Sequence, residues 1–441
     1  MNAREAALKT LGVCRRKRAW SDLALNGVMK SAGMTHADAA LTAQLVYGVL
    51  QNMALCDHYA AHFSSIELRK LEPCVLDVLR LSIYQIAFLT KIPHSAAVNE
   101  GISLVKKYSN PRAAGYVNAV LRKVAKAAAE GELPSVTGTA EHILSIKYSH
   151  PAWLVNEFCG ILGHDGAEAL LAANNTGGKK VTAQVNTLLT DTGSAIRQLE
   201  YEGVEAVRHG WLHDCIELSG AGNIAGLEAF KKGFIYVQDA ASRLSVIAAG
   251  IRNGDFVVDG CAAPGGKSFA AAMIMENTGS ILALDINAAR LRIIQDGAVR
   301  LGINNISVLE KDSSEPSGDH RGAANVVIAD VPCSGFGVIR KKPEIRYKSG
   351  QDAANLPELQ KKILSALSSF VAPGGVLMYS TCTVLRRENE DVIEWFLSGN
   401  KEFSAEGFSL PGIGEVRSGM ITLWPHINGT DGFFICKLRR E

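Results

Sequence analysis

The chain has 441 residues, 47% of them hydrophobic and 20% charged, with 46 Lys+Arg against 44 Asp+Glu. Such a length exceeds one ordinary core and implies two or three domains, and the composition excludes a disordered or fibrous chain. No apolar run approaches the roughly 18 residues of a membrane helix, and the opening "MNAREAALKTLGVCRRKRAW" has no signal-peptide core, so a cytoplasmic protein is expected.

The balanced net charge of +2 hides an asymmetry. Residues 1 to 128 hold 17 Lys+Arg and 8 Asp+Glu, a surplus of +9, which leaves −7 for the remainder. A basic module joined to a mildly acidic one suggests that the first part meets a polyanion. This first part reads as helical, because "PCVLDVLRLSIYQIAFL" and "AAGYVNAVLRKVAKAAAE" space their apolar residues at three and four. The cluster "CRRKR" at 14–18, beside Trp20, suits phosphate contact. A linker is expected over 130–140, "EGELPSVTGTA". A small α/β segment follows over 141–235, with strands expected in "KKVTAQVNTLL" and "DCIELSG".

Beyond residue 235 the rhythm changes to short apolar runs separated by helical stretches. "DFVVD", "SILALD", "ISVLE", "NVVIAD" and "GVLMYS" are the expected strands of a doubly wound parallel sheet. In such a sheet ligands bind beyond the carboxyl ends of the strands. Asp259, Asp285 and Asp330 stand at those ends, with Asp312 just after another.

The first strand runs into "DGCAAPGGKS" (259–268). A phosphate-binding P-loop would need glycine where Cys261 stands, and the dinucleotide pattern G-x-G-x-x-G is absent. What remains is a glycine-bearing turn, Cys261-Ala262-Ala263-Pro264-Gly265-Gly266-Lys267, feeding a helix whose backbone N–H groups face a ligand. Asp285 can take both hydroxyls of a ribose, and Asp312 is placed for an adenine amino group. Ribose and adenine with little demand for phosphate fit S-adenosylmethionine better than ATP.

Nine cysteines are scattered along the chain with no C-x-x-C pair, so neither zinc nor a dithiol redox motif is supported. Two stand out by their surroundings. Cys333 lies in "ADVPCSGFGVIRKKPEIRY" and Cys382 in "MYSTCT", each just beyond a strand.

Taken together, "DGCAAPGGKS", "DVPCSGFGVIRKKPEIR", "YSTCT", "QDAAS" (238–242) and "TDGFFICKL" (430–438) resemble the motifs of the RNA cytosine-C5 methyltransferases. "IPHSAAVNEGISLVKKY" and "GYVNAVLRKV" resemble the NusB-like RNA-binding domain, and the combination resembles the bacterial 16S ribosomal RNA branch of the family. The resemblance implies three parts: an all-α NusB-like domain (1–135), a small α/β subdomain (141–235), and a Rossmann-like class I methyltransferase domain (236–441). It implies an S-adenosylmethionine-dependent rRNA (cytosine-C5)-methyltransferase, a monomer without metal.

Cytosine C5 becomes nucleophilic once a thiolate adds at C6. Chemistry alone leaves open which thiol attacks. The resemblance implies that Cys382 is the nucleophile and that Cys333 assists product release. Asp330 would then hold the cytosine N3/N4 edge as well as border the cofactor, with Lys267 a cation near the thiol. The segment 337–348, with Arg340, Lys341, Lys342, Arg346 and Lys348 around Tyr347, is expected to contact RNA phosphates. Three features depart from the family pattern: Gln184 replaces an arginine, Gly260 a larger residue, and "RKKPEIRY" a basic-histidine-proline run. Two other readings stay open: a transfer-RNA cytosine methyltransferase, and a catalytically silent RNA-binding or assembly factor.

Overall fold

The computed structural model describes residues 1–17, 20–176, 180–316 and 319–441. Its contacts divide the chain into two units: Met1–Thr176 with Ile339–Lys348, and Gly177–Val338 with Ser349–Glu441.

The first unit is helical: α1 (Ala3–Lys17), α2 (Ser21–Ala32), α3 (His36–Gln51), α4 (Met53–Phe63), α5 (Pro73–Phe88), α6 (His94–Tyr108), α7 (Ala114–Glu130), α8 (Ala140–Lys147) and α9 (Ala152–Asn175). Local chemistry sets several starts. Thr35 and Thr139 cap α3 and α8 by accepting the N–H of Asp38 and His142, and Pro73 opens α5 where its missing N–H has no helical acceptor. The apolar faces of α3 to α7 converge on one core that includes Leu45, Val78, Leu79, Leu81, Val105 and Leu121. Among the described residues no single helix is long and apolar enough to cross a membrane. The pair α3–α4 passes by composition, but it bends by 76° and its apolar residues line this core.

Ten residues from far along the chain complete this unit, and they overturn one expectation. Arg346 is fully buried. Its guanidinium donates to the carbonyls of Gln51, Tyr148, Asn174 and Pro343 and to Asn175 Oδ1, at 2.7–3.4 Å. Tyr347 donates its hydroxyl to the Leu50 carbonyl at 2.7 Å, and Glu344 accepts both the N–H and the hydroxyl of Ser21. The ammonium groups of Lys342 and Lys348 lie 4.7 and 5.5 Å from the centre of the Trp20 ring. Arg346 is therefore an internal strut, not a phosphate contact, because none of its surface reaches solvent. Burial lowers its pKa to about 10, which still leaves it charged at neutral pH. Of the cluster at 14–18, Arg15 pairs with the buried Asp77 at 3.0 Å, while Arg18 lies outside the described residues.

The second unit carries two larger sheets. The smaller comprises β1 (Lys180–Val185), β2 (Glu205–Arg208), β3 (Cys215–Ser219) and β4 (Ile235–Val237) in the order β2-β3-β1-β4, all antiparallel, with α10 (Thr192–Tyr201) and α11 (Glu228–Lys231). Gln184 sits inside it at 1% exposure, donating to the Gln238 carbonyl at 3.2 Å. That position is an internal tie in this chain, with no surface to offer RNA.

The larger sheet is the doubly wound one. Its parallel strands are β5 (Phe256–Asp259), β6 (Ser280–Asp285), β7 (Ile306–Glu310), β8 (Ala324–Asp330) and β9 (Val371–Thr381). β10 (Phe403–Ala405) follows, then a separate hairpin of β11 (Phe408–Leu410) and β12 (Gly414–Val416), then β13 (Met420–Leu423) and β14 (Phe433–Arg440). The strand order is β10-β14-β9-β8-β5-β6-β7, with β14 antiparallel to β9 and both β10 and β13 on its outer edge. One face packs α12 (Ala240–Ala249), α13 (Gly266–Ile274) and α14 (Ala288–Leu301), and the other α15 (Leu356–Ser368) and α16 (Glu390–Gly399). Strand succession reverses between β5 and β8, so the crevice for a ligand opens where Asp259 and Asp330 end their strands.

Candidate active site

Beyond β5 the chain turns through the cis peptide Ala263–Pro264 and reaches Gly265 at φ +106°, a backbone region that side chains with a Cβ rarely enter. A Cβ there would also stand 2.6 Å from the Phe269 ring. Both constraints select glycine, and α13 then starts at Gly266 with its first N–H groups turned to the crevice. Gly260, unusual against the family pattern, has a local reason: a Cβ would meet Leu367 at 2.3 Å.

Three carboxylates of the expected cofactor set take different local roles. Asp285, 5% exposed, accepts the N–H of Ala263 and of Asn287 and lies 3.5 Å from the Arg290 guanidinium, so it holds the glycine turn against the end of β6. Asp312 accepts the N–H and hydroxyl of Ser314 at 2.8 and 2.7 Å, which lowers its carboxyl pKa and keeps it ionised. Asp330 accepts the Lys267 ammonium at 2.7 Å on one oxygen and the Ser380 hydroxyl at 2.8 Å on the other. Cys261 lies among them with its thiol pushed well up by burial and by the nearby carboxylates, so it stays neutral.

Asp259, beneath the turn, accepts the Ser268 hydroxyl on Oδ2, and its Oδ1 has no hydrogen-bond partner among the described residues. Burial pushes its carboxyl from 3.8 up to about 6. A raised acid binds its proton more tightly in the folded chain, so its contribution to stability is complete below 3.8 and is lost as pH rises through about 6. Asp259→Asn should abolish a pH-dependent fall of up to about 3 kcal/mol. The measurement is the gap between wild-type and variant thermal midpoints from pH 4 to 7. A gap that stays constant across that range overturns the assignment.

Lys267 is tied to a carboxylate and a hydroxyl. Its ammonium donates to Asp330 and to Ser242 Oγ, at 2.7 and 2.8 Å, and lies 5.2 Å from the Phe433 ring centre. The cation thus fixes the carboxylate. Ser242, Ser380 and Phe433 escape a reading of the sequence because only the folded sheet brings α12, β9 and β14 together. The Asp330↔Ser380 register is what places Ser380.

The two cysteines meet. Their Sγ atoms are 3.1 Å apart and both side chains are half-buried. The hydrogen bond shared with Cys382 pushes the Cys333 thiol well above its usual range. Burial and the Glu388 and Asp330 carboxylates act in the same direction. Cys333 therefore keeps its proton at neutral pH, with the Cys382 sulfur within hydrogen-bond reach.

Gly337 packs directly on the backbone beside this pair. It donates to the Cys382 carbonyl at 3.0 Å, and its own carbonyl accepts from Gly432 at 2.8 Å. A Cβ on Gly337 would fall 1.9 Å from the Gly432 carbonyl oxygen, which cannot swing away. Gly337→Ala should cost about 3 kcal/mol and loosen the Cys382 turn. The checks are a lower thermal midpoint and faster alkylation of Cys382. A variant as stable as wild type contradicts this.

This assembly matches known proteins along the whole chain. Residues 246–439 match the model for 16S rRNA methyltransferase RsmB/F, 1–126 the NusB family, and 150–225 the RsmF/B-like ferredoxin-like domain. The probable ribosomal RNA small subunit methyltransferase B of Bacillus subtilis is 35% identical over 100% of this chain and 99% of its own. The protein of the same description from Synechocystis is 30% identical over 100% of both chains. The crystal structure of PH0851 superposes with a TM-score of 0.82 at 27% identity, covering 100% of this chain and 99% of that one. With similarity that runs end to end through all three parts, the chain belongs to the ribosomal RNA small subunit methyltransferase B family.

Proposed function

We propose that the protein transfers a methyl group from S-adenosylmethionine to C5 of a cytosine in 16S ribosomal RNA, in the cytoplasm, through a covalent bond between Cys382 and C6. The observation that carries this reading is the pair of thiols 3.1 Å apart beside a carboxylate held by Lys267. The donor set beyond β5 to β8 fits the cofactor: ionised Asp312, the Asp285-braced turn, and the start of α13 at Gly266. When bound, S-adenosylmethionine supplies an electrophilic methyl.

Asp330 meets the N3/N4 edge of a base flipped out of its stack. The Lys267 ammonium on its other side supplies positive charge for the anionic ring that thiolate addition creates. The Cys382 thiolate forms the S–C6 bond, and the ring electrons move to C5, which takes the methyl. Bonding to C6 removes the negative charge and the acceptor that held the Cys333 proton in place. Cys333 then releases that proton to solvent, and its thiolate takes the C5 proton. The C5–H electrons re-form the C5=C6 double bond, the S–C6 bond breaks, and Cys382 leaves as a thiolate.

The test is transfer of labelled methyl to unmodified 16S transcript and to unmodified transfer RNA in parallel. Labelled 5-methylcytosine in the 16S product alone supports the reading. Labelled transfer RNA alone moves the substrate class, and no labelled product with cofactor bound points to a silent assembly factor.

A further inference from the structure

Glu388 follows Cys382 by six residues in the polar run "RRENED", which reads as the solvent-facing start of a helix. It is nevertheless fully buried, as are Asn389 beside it and Gln360 on α15. Each bonds the peptide flanks of a catalytic thiol. Glu388 Oε2 accepts the Ser334 N–H at 2.9 Å and the Gln360 amide at 3.0 Å. That amide also donates to the Pro332 carbonyl at 3.0 Å. The residues immediately before and after Cys333 are thus tied to one carboxylate–amide pair.

A second set of bonds holds the other thiol. Asn389 accepts the Thr381 hydroxyl at 2.6 Å and donates to the Thr383 carbonyl at 3.1 Å, and these two threonines flank Cys382. The Ser334 and Thr383 hydroxyls join the two loops at 2.9 Å. Tyr379 donates its hydroxyl to the Glu388 carbonyl at 2.6 Å. The second carboxylate oxygen, Oε1, has no hydrogen-bond partner among the described residues. A buried carboxylate so incompletely satisfied is disfavoured unless its charge serves a purpose.

We propose that Glu388 is a positioning residue of the methyl-transfer reaction, clamping the flanks of Cys333 against Cys382 and keeping Cys333 protonated until Cys382 is engaged. The proposal rests on the assignment of the two thiols given above. The charged and titratable groups facing Cys333 are Cys382 beyond β9, Asp330 at the end of β8 with its partner Lys267, the Tyr379 phenol within β9, and Glu388 before α16. Of these, Glu388 bonds the Cys333 peptide flank itself. Its charge also raises the Cys333 thiol. Loss of that charge should therefore release the Cys333 proton too early and let the two sulfurs drift apart. Attack by Cys382 would survive, while release of the methylated base would slow.

Glu388→Gln keeps the shape and removes the charge, and Gln360→Ala opens the clamp from the other side, removing one donor to the carboxylate but leaving its charge and its bond to Ser334. For Glu388→Gln, kcat on 16S transcript should fall about 10- to 100-fold at nearly constant KM, with a covalent protein–RNA species accumulating on denaturing gels. A merely structural change would not move the second readout. In a Cys382→Ser background, the pH midpoint for alkylation of Cys333 should fall by about one unit on adding Glu388→Gln and shift little on adding Gln360→Ala. Unchanged turnover and an unchanged midpoint would overturn the proposal, as would a fall in turnover with no adduct and no shift. Alkylation does not depend on RNA, so a shifted midpoint in an enzyme that still methylates after Cys382→Ala would instead overturn the thiol assignment and leave the clamp standing.

Discussion

Cys382→Ala is expected to lose methyl transfer to 16S transcript by at least about 10³-fold, because the thiol assigned to addition at C6 is gone. Cys333→Ala is expected to fail in a different way. Its Cys382 thiolate still attacks and C5 still takes the methyl, but the base that removes the C5 proton is missing. The protein should then remain bonded to RNA, visible as a retarded band that survives denaturation and disappears in the double variant. The two outcomes separate the sulfurs although they are only 3.1 Å apart. The reverse pattern, adduct with Cys382→Ala and none with Cys333→Ala, would exchange their roles.

Arg346→Ala should have the largest effect on stability. It removes a fully buried guanidinium and its bonds to acceptors on Gln51, Tyr148, Asn174, Asn175 and Pro343, of which the Tyr148 carbonyl keeps the Asn175 amide as a donor. Unsatisfied buried acceptors and the cavity together should cost about 3–5 kcal/mol. Arg346→Lys should recover only part of this, because an ammonium has three donors and no planar fork. Amide hydrogen exchange over α3, α8 and α9 measures the loss, and protection equal to wild type would show that the strut carries no weight. Lys342→Ala, which removes a ring contact with Trp20, should stay within about 0.5 kcal/mol of wild type.

Much of the larger sheet was legible in the sequence because its strands are short apolar runs, buried along β5, β6, β8 and β9, while β7 at the edge is partly exposed. "SILALD" and "ISVLE" coincide with β6 and β7, and the other three parallel strands lie within a few residues of the apolar runs. The carboxylates at their ends followed from the same pattern. The antiparallel edge was not read as strands. β14 was noticed only as a motif, and β10 and β13 are three and four residues long, too short for a period to show. Lys267 lies in the motif "DGCAAPGGKS", but which group it bonds depends on side chains from α12 and β8 that no spacing predicts. One misreading and one omission share a cause. The cations of 337–348 read as phosphate contacts and the acid of "RRENED" draws no reading, since charge in a sequence says nothing of whether buried acceptors and donors await it. Arg346 and Glu388 are the cases where they do.

The strut has a consequence for how the chain is made. The helical unit spans Met1–Thr176 but also needs Ile339–Lys348, so 162 residues of the other unit are synthesised before its last piece exists. Until then the carbonyls that Arg346 will cap stay open, and the nascent N-terminal part emerges from the ribosome unfinished. Its completion waits for the chain to pass Cys333, so a truncated product holding an intact helical unit without Cys333 cannot form.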